Sequence, residues 1–393
     1  MNIVTVPFHD YKKWLSEGFR TRDAHVFEHL ARRSEVEKIL VVNRPTSMAE
    51  LIVKRQGIHI KEGSQLYKRK GVCLTQTGEK TFCIDIFLPD FLKVARQGKA
   101  WWFTAFRYKR VTDAINEALG YLGMESPLLL LQNPMAIGAY EGLNCGKFVF
   151  DAIDNWLYHP QMKDKELIKN NYRLVEKNAD MIMTVSQALT ELFPENKNVR
   201  WIPNGVDVDY FKGAFKSEPS EKMTVGYIGK IQDRVDFGLV ESCLQKYPDF
   251  EFVFAGPALS QQDRIDELKK QYSNIKFLGD IHYTNLPETM KSFDIAVIPH
   301  KVDEFTASMN PLKLYEYLAA GKPVVTTAVA GTENISPFVF PAKDSYAFIR
   351  ILGETAQRYA ENAPEPQEIA DSLPEECRWD YRVSCMLEEM KKL

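Results

Sequence analysis

The sequence predicts an α/β fold of two doubly wound, Rossmann-like domains, and three observations carry that prediction. At 393 residues the chain is longer than one hydrophobic core normally supports, so two domains are expected. It opens on a strand, a loop, a helix and a second strand, the order with which a doubly wound domain begins. From about residue 224 onward, short apolar runs alternate with helical segments, and that alternation demands a parallel sheet. The boundary is expected near residue 205. Residues 1–204 form the first domain, 205–365 the second, and 366–393 a closing segment that ends in a helix.

In the first domain, Asn2–Val6 and Val36–Val42 read as strands and Phe8 to Gly18 as a polar, glycine-containing loop. Thr21 to Arg33 reads as a helix with Val26, Phe27, Leu30 and Ala31 on one face. Leu51 to Asp90 fits an irregular or hairpin insertion around Tyr67-Lys68-Arg69-Lys70-Gly71. Between Trp101 and Leu122, apolar residues such as Phe103, Phe106, Val111 and Ile115 recur at helical spacing. Trp101, Trp102, Arg107, Lys109 and Arg110 cluster at its start. Two readings stay open for this segment: a buried crossover helix with a solvated basic edge, or a helix lying on a membrane surface. Leu128–Leu131, Lys147–Phe150 and Asp180–Val185 are further strands. The second of these runs into Asp151-Ala152-Ile153-Asp154, and polar groups at the carboxyl ends of parallel strands face a ligand crevice. Asp151 and Asp154 are therefore candidates for chemistry, or else a helix N-cap or partners for a nearby lysine.

In the second domain the strands are Thr224–Ile228, Phe250–Ala255, Ile275–Leu278, Asp294–Ile298 and Pro323–Thr326. Their following loops should converge on one edge: Gly229 to Arg234, Gly256-Pro257, Gly279 to His282, and Ser308-Met309-Asn310. Asn310 reads as an N-cap and Pro311 as the first helical residue, where a missing N–H costs nothing. Leu312, Tyr315, Leu318 and Ala319 form a buried face, and Lys313 and Glu316 share another side. Gly321 supplies a left-handed stop and Pro323 prevents resumption. A strand, a long loop and a helix N-terminus in succession make an anion site. Ala363 to Pro374 reads as a connector, and Trp379 to Leu393 as a last helix.

Composition narrows the function classes. Hydrophobic residues are 45% and charged residues 26%, ordinary for a soluble globular protein. A net charge of −3 gives no global field toward nucleic acid or anionic lipid. The six cysteines are scattered without a CxxC pair, which argues against a metal cluster or disulfide framework and fits a reducing cytoplasm. The brief apolar start before His9 and Asp10 does not make a signal peptide. No run approaches the ~18 apolar residues of a membrane span.

Two stretches resemble a known family. Asn310-Pro-Leu-Lys-Leu-Tyr-Glu-Tyr-Leu-Ala-Ala-Gly-Lys-Pro-Val-Val325 is similar to the donor signature of retaining glycosyltransferases of family 4. Those enzymes have the GT-B fold, two Rossmann-like domains facing a central cleft with a C-terminal helix returning to the first. Pro203-Asn204-Gly205-Val206-Asp207 resembles their turn into the second domain. The likeness is clear from about Ile182 to Val325 and loose over the first domain.

The resemblance implies a hydrogen bond between Glu316 and the donor ribose, the carboxylate accepting. The family's other glutamate, eight positions earlier, is Ser308 here, so Ser308 or the nearby Glu304 stands in. Where the family has an arginine after the first loop glycine, this chain has Lys230 after Gly229. The lysine five residues further on is replaced by Val235, leaving Arg234 as the available cation. Lys230 and Arg234 are then the phosphate pair, with Lys313 as a third, or else they form a solvated positive edge. The main chain at Ile281 is the implied base contact, with Met309 and Asn310 in the donor loop. Gly18, Arg20 and Arg22 are implied near the acceptor and donor phosphates, unless that segment is an ordinary surface loop. Asp151 and Asp154 stand where many relatives have a histidine, and with Lys230 they make the implied catalytic set.

The run Val149-Phe-Asp-Ala-Ile-Asp-Asn-Trp156 resembles cell-wall and exopolysaccharide members. The resemblance implies transfer of a sugar, with retention, from a nucleoside-diphosphate sugar, UDP-linked, to a saccharide or lipid-linked glycan acceptor. No metal, other cofactor or nucleic-acid partner is expected. The expected location is the cytoplasm, or the inner face of the cell membrane by peripheral association. Two rivals remain: a GT-B sugar-nucleotide epimerase, and a degenerate GT-B protein that binds nucleotide sugar or partners without turnover.

Overall fold

The computed structural model describes residues 1–54, 57–159, 162, 164–216, 218 and 220–393. They form two compact units, one of Met1–Leu157, Met162–Ile202 and Val383–Leu393, the other of Tyr158–Gln161 and Pro203–Arg382.

The first unit contains β1 (Asn2–Val6), β2 (Lys38–Val42), β3 (Thr46–Ser47), β4 (Ser64–Arg69), β5 (Val72–Gln76) and β6 (Thr81–Leu88). It continues with β7 (Leu128–Leu131), β8 (Phe148–Ala152), β9 (Met181–Thr184) and β10 (Val199–Trp201). They make one sheet in the order β10-β9-β8-β7-β1-β2-β6-β5-β4, with β3 paired to the end of β6. The central strands are parallel, with Ile3 beside both Ile39 and Leu128, while β5 and β4 add an antiparallel hairpin. Apolar runs such as the four leucines of β7 are buried along their whole length, as parallel strands covered on both faces must be.

The second unit contains β11 (Thr224–Ile228), β12 (Glu251–Ala255), β13 (Ile275–Gly279), β14 (Ile295–Ile298), β15 (Val324–Thr327) and β16 (Val339–Ala342). All pairings are parallel, in the order β13-β12-β11-β14-β15-β16. Each sheet therefore reverses its winding at one place, between β1 and β7 in the first and between β11 and β14 in the second. Ligands of open parallel sheets bind outside the carboxyl ends of the strands at such a reversal.

Several expectations need correction. The segment Phe8 to Gly18 is mostly a helix, Tyr11–Glu17, capped by Asp10 and closed by Gly18 at φ 80°. Its Tyr11 and Trp14 are buried; seven residues are too few for the helical period to declare itself, and burial decides. The 51–90 stretch does contain a hairpin, but β6 is a full strand of the sheet beside β2. The Trp101–Leu122 segment is two helices, Trp101–Ala105 and Lys109–Leu122, and Trp101, Phe103 and Phe106 are buried in the core. The connector holds a helix, Pro366–Asp371, whose Pro366 packs so closely on Gly321 that a side chain there would collide. The strand β16 was not foreseen, because proline interrupts its apolar run. The closing helix Trp379–Lys391 starts in the second unit and ends in the first, where Arg200 pairs with Glu389 at 2.7 Å and Lys391 with Glu35 at 3.1 Å.

Candidate functional site

The winding reversal of the second sheet is built around two glycines. The chain leaves β11 through Gly229 at φ 130°, and the β12 end turns through Gly256 at φ 146°. A Cβ on Gly256 would lie 2.0 Å from the Gly229 carbonyl oxygen, so only glycine permits this approach. Gly229 N–H donates to the Ala255 carbonyl at 2.9 Å, and Gly256 N–H to the Gly279 carbonyl at 2.7 Å. The loops after β11, β12 and β13 are thereby laced into one edge, as the alternation of elements implied.

Across this edge lies Lys313, in the first turn of the helix Leu312–Ala319. Its Nζ donates to the Tyr227 hydroxyl at 2.8 Å, sits 4.1 Å from the centre of that ring, and is 3.5 Å from Nε2 of His300. Tyr227 and His300 lie 3.2 Å apart, and all three side chains are buried. Burial, then the Arg234 charge, drives Lys313 well below the ordinary lysine range, opposed by Glu316. Burial, then Lys313 and Arg234, holds His300 well below its usual value, so its ring is neutral near pH 7. Burial pushes Tyr227 up to about 12 against the pull of Arg234. With its amide oxygen turned inward, Gln232 accepts from Arg234 Nε and Nη2 at 3.1 Å. Among the described residues, neither Lys313 nor Arg234 pairs with a carboxylate within ion-pair distance. Two basic groups that make no ion pair among the described residues, at a strand end and a helix start, can receive a multiply charged anion, with the buried Glu316 the acidic charge that acts on Lys313.

Glu316 is buried on the same helix. The Tyr283 hydroxyl bonds to it, and burial together with the Glu316 charge pushes that phenol far above its usual value. Tyr210 stacks on Tyr283 at 5.2 Å and 7°, and its hydroxyl donates to the Tyr283 carbonyl at 3.0 Å. This clamp fixes the segment holding Ile281, which packs half-buried on the apolar core.

Asn310 is not the N-cap; Pro311 holds that position. The Asn310 Oδ1 instead accepts the Asn204 N–H at 2.8 Å, its carbonyl accepts from Asn204 Nδ2 at 2.6 Å, and its Nδ2 donates to the Tyr315 hydroxyl at 2.8 Å. The two motifs most legible in the sequence are thus bonded to each other. Ser308 turns its hydroxyl onto the Phe305 carbonyl at 3.0 Å, Met309 places Sδ 3.9 Å from Arg234 Nη1, and Glu304 is exposed. Lys230 is half-buried, and its carbonyl accepts from Tyr227 at 3.3 Å.

In the first unit the residues singled out group differently. Asp151 is fully buried at the end of β8. Arg22 reaches its two oxygens through Nε at 3.2 and 3.0 Å and through Nη2 at 2.9 Å. Gln132, just beyond β7, donates to it at 3.0 Å and accepts from Thr5 of β1 at 3.4 Å. Asp151 and Arg22 therefore form one compensated pair at the first sheet's reversal. Arg20 binds Glu17 through Nε at 3.1 Å and Nη2 at 2.8 Å, and Gly18 caps the helix before it. The carbonyl of Asp154 accepts from Tyr172 at 3.1 Å. Tyr227, His300 and Tyr283 were not foreseen. The signal for His300 was available: it is the first polar residue beyond an apolar parallel strand.

Two units with the same reversed strand order and a shared closing helix define the GT-B fold of glycosyltransferases. Residues 222–357, within the second unit, match the family described as Glycosyl transferases group 1. Over 189 residues the chain is 29% identical to a protein of Bacillus subtilis (strain 168) named as a teichuronic acid biosynthesis glycosyltransferase, TuaH, covering 45% of this chain and 47% of that one. It is 27% identical over 183 residues to the phosphatidyl-myo-inositol mannosyltransferase of Mycobacterium tuberculosis (strain CDC 1551 / Oshkosh), covering 44% and 43%. The chain thus spans just under half the length of these curated relatives. Among solved structures it resembles sucrose-phosphate synthase from Thermosynechococcus elongatus, with TM-score 0.67, 14% identity and 100% and 98% of the two chains covered. It also resembles the Anabaena protein HepE in complex with UDP, with TM-score 0.66, 13% identity and both chains fully covered. These two likenesses concern the fold.

Proposed function

We propose that this protein is a retaining glycosyltransferase that moves a sugar from a UDP-sugar to a saccharide or lipid-linked acceptor in cell-wall or exopolysaccharide synthesis. The observation that carries the reading is the pair of basic side chains Lys313 and Arg234, neither ion-paired among the described residues, at the winding reversal of the unit that matches the Glycosyl transferases group 1 family. As the bond between the sugar anomeric carbon and the phosphate oxygen breaks, its electron pair stays on the diphosphate. Fixed cations there stabilise the leaving group more than the intact donor. Lys313 and Arg234 fill this role, with Lys230 beside them, and Glu316 takes the ribose while the Gly279–Tyr283 segment takes the base. The departing phosphate accepts the proton of the acceptor hydroxyl. UDP is favoured by the UDP complex of a neighbour in fold, and the acceptor class by the name of the TuaH relative.

The test is a thermal-shift comparison of UDP, GDP, ADP and their sugar conjugates, since a ligand that binds only the folded state raises the melting point. A shift selective for the uridine compounds, lost in Glu316→Ala, is expected. A shift with none of them would overturn the reading. Ser308, whose hydroxyl bonds to its own turn where the family has a glutamate, keeps a second reading in play, a nucleotide-sugar binder without turnover. Donor binding with no donor consumed, across saccharide and lipid-linked acceptors, would establish that alternative. Product anomeric configuration by NMR decides retention.

A further inference from the structure

The buried carboxylate of Glu316 is held by a phenol to which the transfer reading gives no task. Tyr283 opens the single helical turn Tyr283–Asn285 after β13, and its hydroxyl bonds to the Glu316 side chain. Both residues are almost fully covered, at 7% and 6% exposed. Aromatic contacts fix where that hydroxyl stands. Tyr210 stacks on the Tyr283 ring at 5.2 Å and 7°, and Phe211 meets it edge-on at 6.1 Å and 89°. The Tyr210 hydroxyl donates to the Tyr283 carbonyl at 3.0 Å. Leu286 and Met290, on the following helix Leu286–Lys291, belong to the same apolar cluster. The ring cannot swing without giving up these contacts.

A glutamate side chain on a helix has several rotamers open to it, and a carboxylate that must grip a sugar has to keep one. Lys313, one turn earlier on the same helix, attracts it toward the cation cluster. The Tyr283 hydroxyl opposes that pull. Burial, then the charges of Glu316 and Asp207, push the phenol far above its usual value. Its proton therefore stays in place at any working pH, and the bond keeps one direction, phenol donating and carboxylate accepting. A carboxylate offers about four acceptor sites. With one assigned to a fixed donor, the plane and direction of the others are set.

We propose that Tyr283 is a positioning residue that, by fixing the Glu316 carboxylate, makes the protein select ribonucleoside over 2′-deoxyribonucleoside diphosphates. The inference rests on the reading in which Glu316 takes the donor ribose, and it adds the residue that sets how strictly that sugar is read. A ribose presents two neighbouring hydroxyls, and a carboxylate held in one plane can accept from both. With 2′-deoxyribose one acceptor stays buried and unpaired, the arrangement that rejects an analogue most strongly. Without the phenol the carboxylate turns toward Lys313, ribose is bound less well, and the missing hydroxyl costs little.

Calorimetric titration of the full chain with UDP and with 2′-deoxy-UDP tests it. The unmodified protein should bind UDP about tenfold more tightly or better. Tyr283→Phe keeps the ring, its stack and its burial. It should weaken UDP roughly tenfold, leave 2′-deoxy-UDP nearly unchanged and bring the two affinities together. Tyr210→Ala removes the stacked ring at a position 37% exposed and should narrow the difference part of the way. In a Glu316→Gln background, Tyr283→Phe should narrow it no further, because the phenol acts through that carboxylate. If Tyr283→Phe weakens both ligands equally, or changes neither, the proposal is overturned and the ribose reading stands. If that variant does not fold, Tyr210→Ala decides, and an unchanged preference for UDP overturns the proposal. No UDP binding, or equal binding of the two nucleotides by the unmodified protein, overturns the ribose reading and the proposal with it.

Discussion

The two sheets reverse their winding in the same way and fill the reversal with opposite electrostatics. In the first unit, a buried carboxylate, Asp151, is matched by the guanidinium of Arg22 and by Gln132, so charge and hydrogen bonds are balanced within the protein. In the second, Lys313 is buried beside another cation, Arg234, and a neutral His300. A balanced cluster has done its work once the chain is folded. An unbalanced one stores an unfavourable arrangement that an incoming anion relieves, so the second reversal is where ligand energy is available. The same topology thus carries a compensated ion pair in one unit and, in the other, basic groups to which the proposed function assigns the donor phosphates.

The largest effect expected from this comparison is on stability. Arg22→Ala leaves Asp151 charged, buried and short of its main partner, a loss of roughly 3–5 kcal/mol. Thermal and urea unfolding should show it, and Arg22→Met combined with Asp151→Leu should recover most of it, because a buried ion pair and an apolar pair of similar size are nearly equivalent. A loss below about 1 kcal/mol in the single variant would mean that Asp151 is not dependent on Arg22. Lys313→Met should behave in the opposite sense. Removing a buried cation that faces Arg234 leaves stability unchanged or raised, whereas affinity for UDP falls roughly 10- to 100-fold, the worth of about 1.5–3 kcal/mol for a charge-assisted hydrogen bond. Calorimetric titration gives the affinity. Intact UDP binding with lowered stability would place Lys313 among the structural residues and dissolve the contrast.

Strain offers an intermediate effect. Gly256→Ala sets a methyl group 2.0 Å from the Gly229 carbonyl at a φ of 146°, a conformation costing on the order of 1–3 kcal/mol for a residue other than glycine. Because Gly229 carries the turn toward Lys313, the variant should lose nucleotide affinity along with stability. Comparison of UDP titrations at a temperature where the variant remains folded checks this. Undiminished affinity there would show that the loop after β11 does not depend on its neighbour.

Most of the fold was legible because parallel strands are apolar on both faces and stand out against any background. The strand Thr224–Ile228 was read to the residue, and the neighbouring strands to within one or two. Where the reading failed, tertiary burial outweighed local pattern: the helix Tyr11–Glu17 carries its fold signal in Tyr11 and Trp14 alone, and β16 is broken by Pro341. The site was legible only where one residue acts locally. Lys313 and Glu316 are placed by helical spacing, but Tyr227 and His300 join Lys313 from 86 and 13 residues away, and no periodicity announces such a meeting. Asp151 shows the converse. Its position at a strand end suggests a ligand contact, and its partner Arg22, 129 residues away, cannot be inferred from the neighbouring sequence.

The smallest expected effect is on the pH dependence of donor binding, and it separates the two reversals most sharply. Lys313 is held below the ordinary lysine range by burial and Arg234, with Glu316 opposing, and His300 is held low by burial, Lys313 and Arg234. A diphosphate supplies the missing negative charge and therefore raises both values on binding. Where the pH lies between the free and bound values, binding takes up protons, so affinity is greatest on the acid side and declines as pH rises through the free-state value of Lys313. Tyr227, pushed up to about 12, takes no part near neutrality. A UDP-sugar suits the measurement because its diphosphate has no titrating proton in this range. Calorimetry in two buffers of different ionisation enthalpy should give a fractional proton uptake, with affinity changing a few-fold per pH unit and the uptake reduced in Lys313→Met. In Arg22→Met/Asp151→Leu the uptake should be that of the unmodified protein, since that pair is already balanced. A donor that binds without proton exchange, with affinity flat from acid to alkaline pH, would show that Lys313 keeps its proton in the empty site and that the imbalance proposed for the second reversal is not felt there.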